Sequence, residues 1–175
     1  AASDVYKRQV HVFDFDGTLY LTSETVYVWS PRGDSEINGQ SCFRLNSSEY
    51  SGFQICNDES INESSFREFN SVNWDKATEV IPVLNIFQNQ SNKKILTARP
   101  GSVEPKIRSK INGDFDFIGL GNSDPNLKVD FMKSIHREKI IYEDSISVIN
   151  LCKENSIKCC HVSHEAGLTS LLYYI

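Results

Sequence analysis

The chain has no long apolar run, no long basic run and no framework spacing among its cysteines, and each absence removes a class of protein. Without a stretch of about 20 apolar residues there is no membrane-spanning helix, and the first nine residues lack the apolar centre of a secretory signal. The net charge is −5, with 18 Lys and Arg against 23 Asp and Glu, so there is no electrostatic footprint for tight, sequence-independent DNA binding. Small phosphorylated substrates stay compatible, because a local divalent cation and one or two cationic side chains outweigh a mildly acidic surface. The cysteines are Cys42, Cys56, Cys152, Cys159 and Cys160. Their odd number predicts reduced thiols and a cytoplasmic setting. A length of 175 residues suits one α/β core with an insertion and is short for two complete domains. Residues 1–9 read as a non-native or disordered leader and are left out of the fold.

What is present is concentrated near the start. The apolar run Val10-His11-Val12-Phe13 predicts a buried strand, and Asp14-Phe15-Asp16-Gly17-Thr18 follows it. Strand alternation lets Asp14 and Asp16 face one way, while Gly17 lets the chain turn. Two carboxylates a few Å apart do not both ionise cheaply unless a cation intervenes. Mg²⁺ meets that need with one or two carboxylates and a substrate phosphate. Taken alone, the segment reads better as an exposed Asp-Gly turn, and the rest of the chain must decide.

From Tyr20 to Trp74 the sequence is rich in Ser, Asn, Glu and Gly with isolated aromatics, which predicts an insertion of short strands and turns forming a lid or small cap. Within it, Val26–Trp29 reads as a strand entering the turn Ser30-Pro31-Arg32-Gly33, and Phe66 with Phe69 as a short helix. From Asp75 onward Ala77, Val80, Ile81, Leu84 and Phe87 fall on one helical stripe, with Pro82 as a kink. Then come a strand at Lys93–Thr97, a helix through Ile107 and Ile111, an apolar run at Phe115–Leu120, a helix at Leu127–Ile135, a strand at Ile140–Tyr142, a helix at Ser147–Lys153 and a last strand at Lys158–Val162. This alternation predicts a parallel sheet with helices on both faces, and ligands in such sheets bind at the carboxyl ends of strands. Asp14, Thr97 and Asp144 all stand at such ends.

Joined in this order, the segments resemble the haloacid dehalogenase (HAD) superfamily. Asp14-Phe15-Asp16-Gly17-Thr18-Leu19 is similar to its first motif and Ile95-Leu96-Thr97-Ala98-Arg99 to its second. Lys128, at a helix start, matches the third, with Lys133 as the other candidate, and Tyr142-Glu143-Asp144-Ser145 resembles the fourth. The resemblance implies a Rossmann-like three-layer α/β/α core with a central parallel sheet over 10–19 and 75–175, and a small cap over 20–74 after the first strand. It implies a Mg²⁺-dependent phosphohydrolase in which Asp14 forms an aspartyl-phosphate and Asp16 serves as general acid, then base. Thr97, with Ala98 and Arg99, would hold the substrate phosphate, and Lys128 would neutralise charge. Asp14, Asp144 and Asp16, the last through its backbone carbonyl, would hold Mg²⁺, and Glu143 would orient a metal-bound water. A carboxylate at Asp16 favours a phosphatase or phosphomutase among the superfamily's reactions. Weaker likenesses are to phage HAD-like proteins, through Leu45–Tyr50 and Phe66–Phe69, and to the HAD-like domains of predicted RNA-repair proteins, through Ile141–Asp144.

Several residues carry two readings. Arg99 either grips a phosphate or pairs with an acidic neighbour. Trp29 and Trp74 either fill the cap interior or stack on a base or sugar. Cys159, Cys160, His161 and His164 read as buried thiols in a terminal strand or as a metal site. Lys106, Arg108 and Lys110 read as a solvated face. Two alternatives to a metabolite phosphatase stay open: processing of nucleic-acid 3′-phosphate ends, and a catalytically silent binding module. No membrane partner is expected.

Overall fold

The computed structural model describes residues 8–175, so residues 1–7 of the expected leader lie outside the described residues. In chain order the elements are β1 (Val10–Phe13), β2 (Tyr20–Leu21), β3 (Thr25–Trp29), β4 (Ser35–Ile37), β5 (Gln40–Asn46), α1 (Ser47–Tyr50), β6 (Ser60–Ile61), α2 (Glu63–Phe66), β7 (Thr78–Glu79), α3 (Ile81–Asn89), β8 (Lys93–Thr97), α4 (Glu104–Arg108), β9 (Asp116–Gly119), α5 (Pro125–Ser134), β10 (Lys139–Glu143), α6 (Ile146–Glu154), β11 (Cys159–Glu165) and β12 (Leu168–Tyr174). The fold is mixed α/β around a central six-stranded sheet in the order β12-β11-β10-β1-β8-β9. All its pairings are parallel except β11 with β12. Among the described residues no helix is long and apolar enough to cross a membrane.

The core follows from strand alternation. Val10 and Val12 join a cluster with Val129 and Met132 of α5 and Val148, Ile149 and Cys152 of α6, whereas Phe13 joins Val83, Leu84 and Phe87 of α3 and Ile107 of α4. Phe13 also stacks on Tyr142, centroids 4.5 Å apart, and meets Phe87 edge-on. Each such buried side chain contributes about 1.5–3 kcal/mol through its loss of water contact. This packing fixes β1 between β8 and β10, and so fixes where Asp14 emerges.

Two expectations are corrected at the edges of this core. The helical stripe expected from Asp75 begins only at Ile81: Thr78–Glu79 is a short strand pairing with Tyr20–Leu21. Pro82 lies in the first turn of α3, where a missing N–H costs nothing, so it starts the helix and does not kink it. The chain also has a strand beyond Lys158–Val162. Ala166 and Gly167 both take positive φ, a two-residue turn that folds β12 back on β11.

Residues 25–61 build a second sheet, antiparallel in the order β4-β5-β3-β6, and the strand expected at Val26–Trp29 is its centre. Its own apolar cluster is Val26, Val28, Leu45, Tyr50 and Phe69, joined by Ala98 of the core. Trp74 is not inside that sheet; it packs edge-on against Phe15 and Tyr20. Trp29 lines a surface groove with Pro31 and Gln40. Lys106, Arg108 and Lys110 are exposed as a solvated face.

Candidate functional site

Parallel strands end together, and that brings the sequence motifs to one place. Asp14 follows β1, Thr97 closes β8 and Glu143 closes β10 with Asp144 next in the chain. Lys128 comes up from the first turns of α5 and is 2% exposed. Its Nζ donates to Asp14 Oδ1 at 2.8 Å and Glu143 Oε2 at 2.7 Å. Lys133, the other lysine candidate, is exposed on the same helix. A spacing of five residues turns it to the other side.

The electrostatics follow from taking three acids out of water. Burial pushes Asp14 up to about 8, Glu143 adds to the rise, and Lys128 pulls against it. Burial, then the Asp14 carboxylate, pushes Asp144 up to about 7. Burial raises Glu143 as well. Lys128 stays charged: burial would lower its pKa, but Asp14 and Glu143 raise it well above the usual lysine range. Carboxylate oxygens of Asp14, Glu143 and Asp144 lie within 4.8 Å of one another. Asp144 Oδ2 accepts from Ser48 Oγ at 2.6 Å, while its Oδ1 is buried and accepts no hydrogen bond. An orphaned anionic oxygen beside two more carboxylates suits a hard divalent cation, which would lower the cost of ionising all three. Two residues of the expected set, Asp14 and Asp144, are in this group, and Glu143, expected behind the ligands, offers an oxygen beside them; Asp16 was expected through its backbone carbonyl, and its side chain is engaged elsewhere.

That engagement resolves the two readings of Arg99. Its Nε and Nη2 donate to Asp16, and Nη2 also reaches Glu24 Oε1 at 3.1 Å. Nη1 donates to the carbonyl of Ser71 at 2.7 Å. Arg99 therefore pairs with acidic neighbours. Burial alone would raise the Asp16 pKa, but the guanidinium and the hydroxyl of Thr22 hold it below the ordinary value. Thr97 Oγ1 accepts the backbone N–H of Arg99 at 3.1 Å. Ala98 lines the small cavity beside Asp14 and Asp16.

The turn around α1 closes the site from above. Ser47 Oγ meets Thr22 Oγ1 at 2.9 Å, Ser48 reaches Asp144, and Ser51 Oγ lies 3.5 Å from Lys128 Nζ. Gly52 packs so closely that an added Cβ would come within 3.0 Å of the hydroxyls of Ser145 and Ser147. The cavity beneath, lined by Asp14, Asp16, Tyr50 and Arg99 among others, holds about 10 Å³, room for one water. Sequence reasoning missed Thr22, Glu24, Ser48 and Ser51, polar residues in a stretch full of such residues, with no local pattern to single them out.

The remaining cluster separates. Cys159 and Cys160 are buried thiols, and burial pushes Cys160 up to about 12. His164 instead reaches across to the loop after β1, its Nε2 lying 2.6 Å from the Gly17 carbonyl. Among the described residues the only group of three or more His, Cys, Asp or Glu placed to hold a metal is Asp14, Glu143 and Asp144. No family model, curated protein or solved structure matches the chain.

Proposed function

We propose that this chain is a Mg²⁺-dependent phosphohydrolase of the HAD type, with a Rossmann-like three-layer core, acting in the cytoplasm on a small phosphomonoester. The observation that carries the reading is Lys128 Nζ bonded to both Asp14 and Glu143 in a buried pocket at the ends of parallel strands. Such a lysine pulls against the burial that raises Asp14, whose ionisation a bound cation would complete, and then neutralises the phosphoryl group that the carboxylate attacks. Asp14, Glu143 and Asp144 would hold the cation, which supplies charge neutralisation at the phosphate when bound.

In this mechanism an Asp14 oxygen attacks phosphorus, the bond to the ester oxygen breaks, and that oxygen leaves with a proton from Asp16. Asp16 then takes a proton from water, which attacks phosphorus and releases Asp14. The Arg99 ion pair keeps Asp16 ionised, which suits the base half. For the acid half, the negative charge of the incoming phosphate raises the proton affinity of Asp16. Thr97 donates its O–H to a phosphate oxygen. The α1 turn lifts to admit a phosphoryl group, because one water's volume does not hold one.

The test is phosphate release from an aryl phosphate, a panel of phosphorylated metabolites and a 3′-phosphorylated oligonucleotide, for wild type and Asp14→Asn. Activity that needs Mg²⁺ and disappears in the variant is expected. Preference for the oligonucleotide would reassign the protein to nucleic-acid end processing. No release by folded, Mg²⁺-loaded protein would favour a binding module.

A further inference from the structure

Strand β11 outruns its neighbour. Its register with β10 ends at Glu143 opposite His161, yet β11 continues to Glu165, which carries His164 three residues past the end of β10, about 10 Å at the usual rise per residue. That overhang places His164 over the ends of β1 and β10, where the Gly17 loop lies. The Gly17 carbonyl oxygen only accepts, so Nε2, at 2.6 Å, carries the hydrogen. In the neutral ring Nδ1 then accepts from Thr169 Oγ1 at 2.9 Å, the residue directly opposite on β12. The terminal hairpin thus braces one carbonyl of the loop after the first motif.

That loop touches two of the three clustered carboxylates, Asp14 and Asp144. Gly17 takes φ +75°, and an added Cβ would collide with Asp144 Oδ2 and Ser48 Oγ. Its N–H is pinned to the Tyr20 carbonyl at 2.7 Å. The next residue, Thr18, donates from Oγ1 to Asp14 Oδ2 at 3.3 Å. With the Gly17–Thr18 peptide fixed, Asp144 keeps its seat against the Gly17 backbone and Asp14 keeps its hydrogen bond.

We propose that His164 is a positioning residue that, through the Gly17–Thr18 peptide, holds Asp14 and Asp144 in the arrangement that binds a divalent cation. This rests on the reading of Asp14, Glu143 and Asp144 as the cation site. Partners that stand behind metal ligands typically set affinity by about 10- to 100-fold, and His164 acts at one further remove.

The experiment is Mg²⁺ titration by calorimetry on the full chain, for wild type, His164→Ala, His164→Gln and Thr169→Val. Wild type binds Mg²⁺, His164→Ala binds about tenfold more weakly, His164→Gln recovers most of the loss through its amide N–H, and Thr169→Val falls between. Equal binding by wild type and His164→Ala overturns the inference while leaving the cation site intact. A glutamine variant as weak as alanine overturns the donor role. Failure of wild type to bind Mg²⁺ overturns the cation site itself and this inference with it. Should His164→Ala not fold, the glutamine and Thr169→Val comparison decides: wild-type affinity in Thr169→Val overturns the proposal, and weakening in Thr169→Val but not in His164→Gln supports it.

Discussion

Arg99 and Asp16 form a buried ion pair in which two guanidinium nitrogens reach one carboxylate at 2.7–3.1 Å, with the arginine 2% exposed. The guanidinium also meets Glu24 and the carbonyl of Ser71. One side chain therefore ties the second motif to the first and to both ends of the excursion between β2 and β7.

Arg99→Lys removes the planar fork that this geometry requires. Asp16 and Glu24 keep a cation but are left with incomplete hydrogen bonding, and buried polar groups left unsatisfied typically cost about 1–3 kcal/mol. Urea denaturation should show a loss of that size. Glu24→Gln, which keeps an acceptor, should cost about 1 kcal/mol. A midpoint unchanged in Arg99→Lys would contradict this account.

If the proposed phosphohydrolase reading holds, Lys128→Met should reduce phosphate release at least about 100-fold, the usual consequence of removing a group aimed at developing charge. Lys133→Met, exposed on the same helix, should leave the rate unchanged and stability within about 0.5 kcal/mol. Steady-state rates for the two variants side by side give the comparison.

Mg²⁺ should raise the melting temperature of the wild-type protein. At 100 times the dissociation constant, preferential binding to the folded state adds about 2.7 kcal/mol. In Asp144→Asn the shift should shrink sharply, because the variant neutralises a carboxylate whose second oxygen has no other partner. A shift of equal size in the variant would exclude Asp144 as a ligand.

His11 is buried against Tyr142, and burial lowers its pKa to about 4. A depressed histidine binds its proton more weakly in the folded chain than in the unfolded one, so its contribution is present above about pH 6.5 and is lost as pH falls toward 4. Relative to His11→Gln, wild type should lose up to about 3 kcal/mol between pH 7 and pH 4. Chemical denaturation of both proteins across that range should show the two stabilities diverging; parallel curves would mean that His11 does not titrate in the fold.

How much was legible varies by element. β1, β8 and β10 announce themselves as short apolar runs ending in Asp14, Thr97 and the Glu143-Asp144 pair, and the structure puts those ends together. The stripe from Ala77 misled because apolar spacing alone does not separate a two-residue strand followed by a helix from one continuous helix; Pro82, which favours a first turn, was the better signal. β12 was missed although Gly167 marked its turn, because Ala166 also adopts positive φ there, a conformation the sequence does not advertise.

By itself the sequence determined the alternation of strands and helices and which acids and threonine stand at strand ends, since each depends on residues a few positions apart; that Lys128 and not Lys133 meets those acids came from the structure. Only the tertiary structure decided which neighbour each charge meets. Arg99 finds Glu24 across 75 positions and His164 finds Gly17 across 147. Such pairings arise from strand order and from the overhang of β11 past β10, which local spacing does not encode.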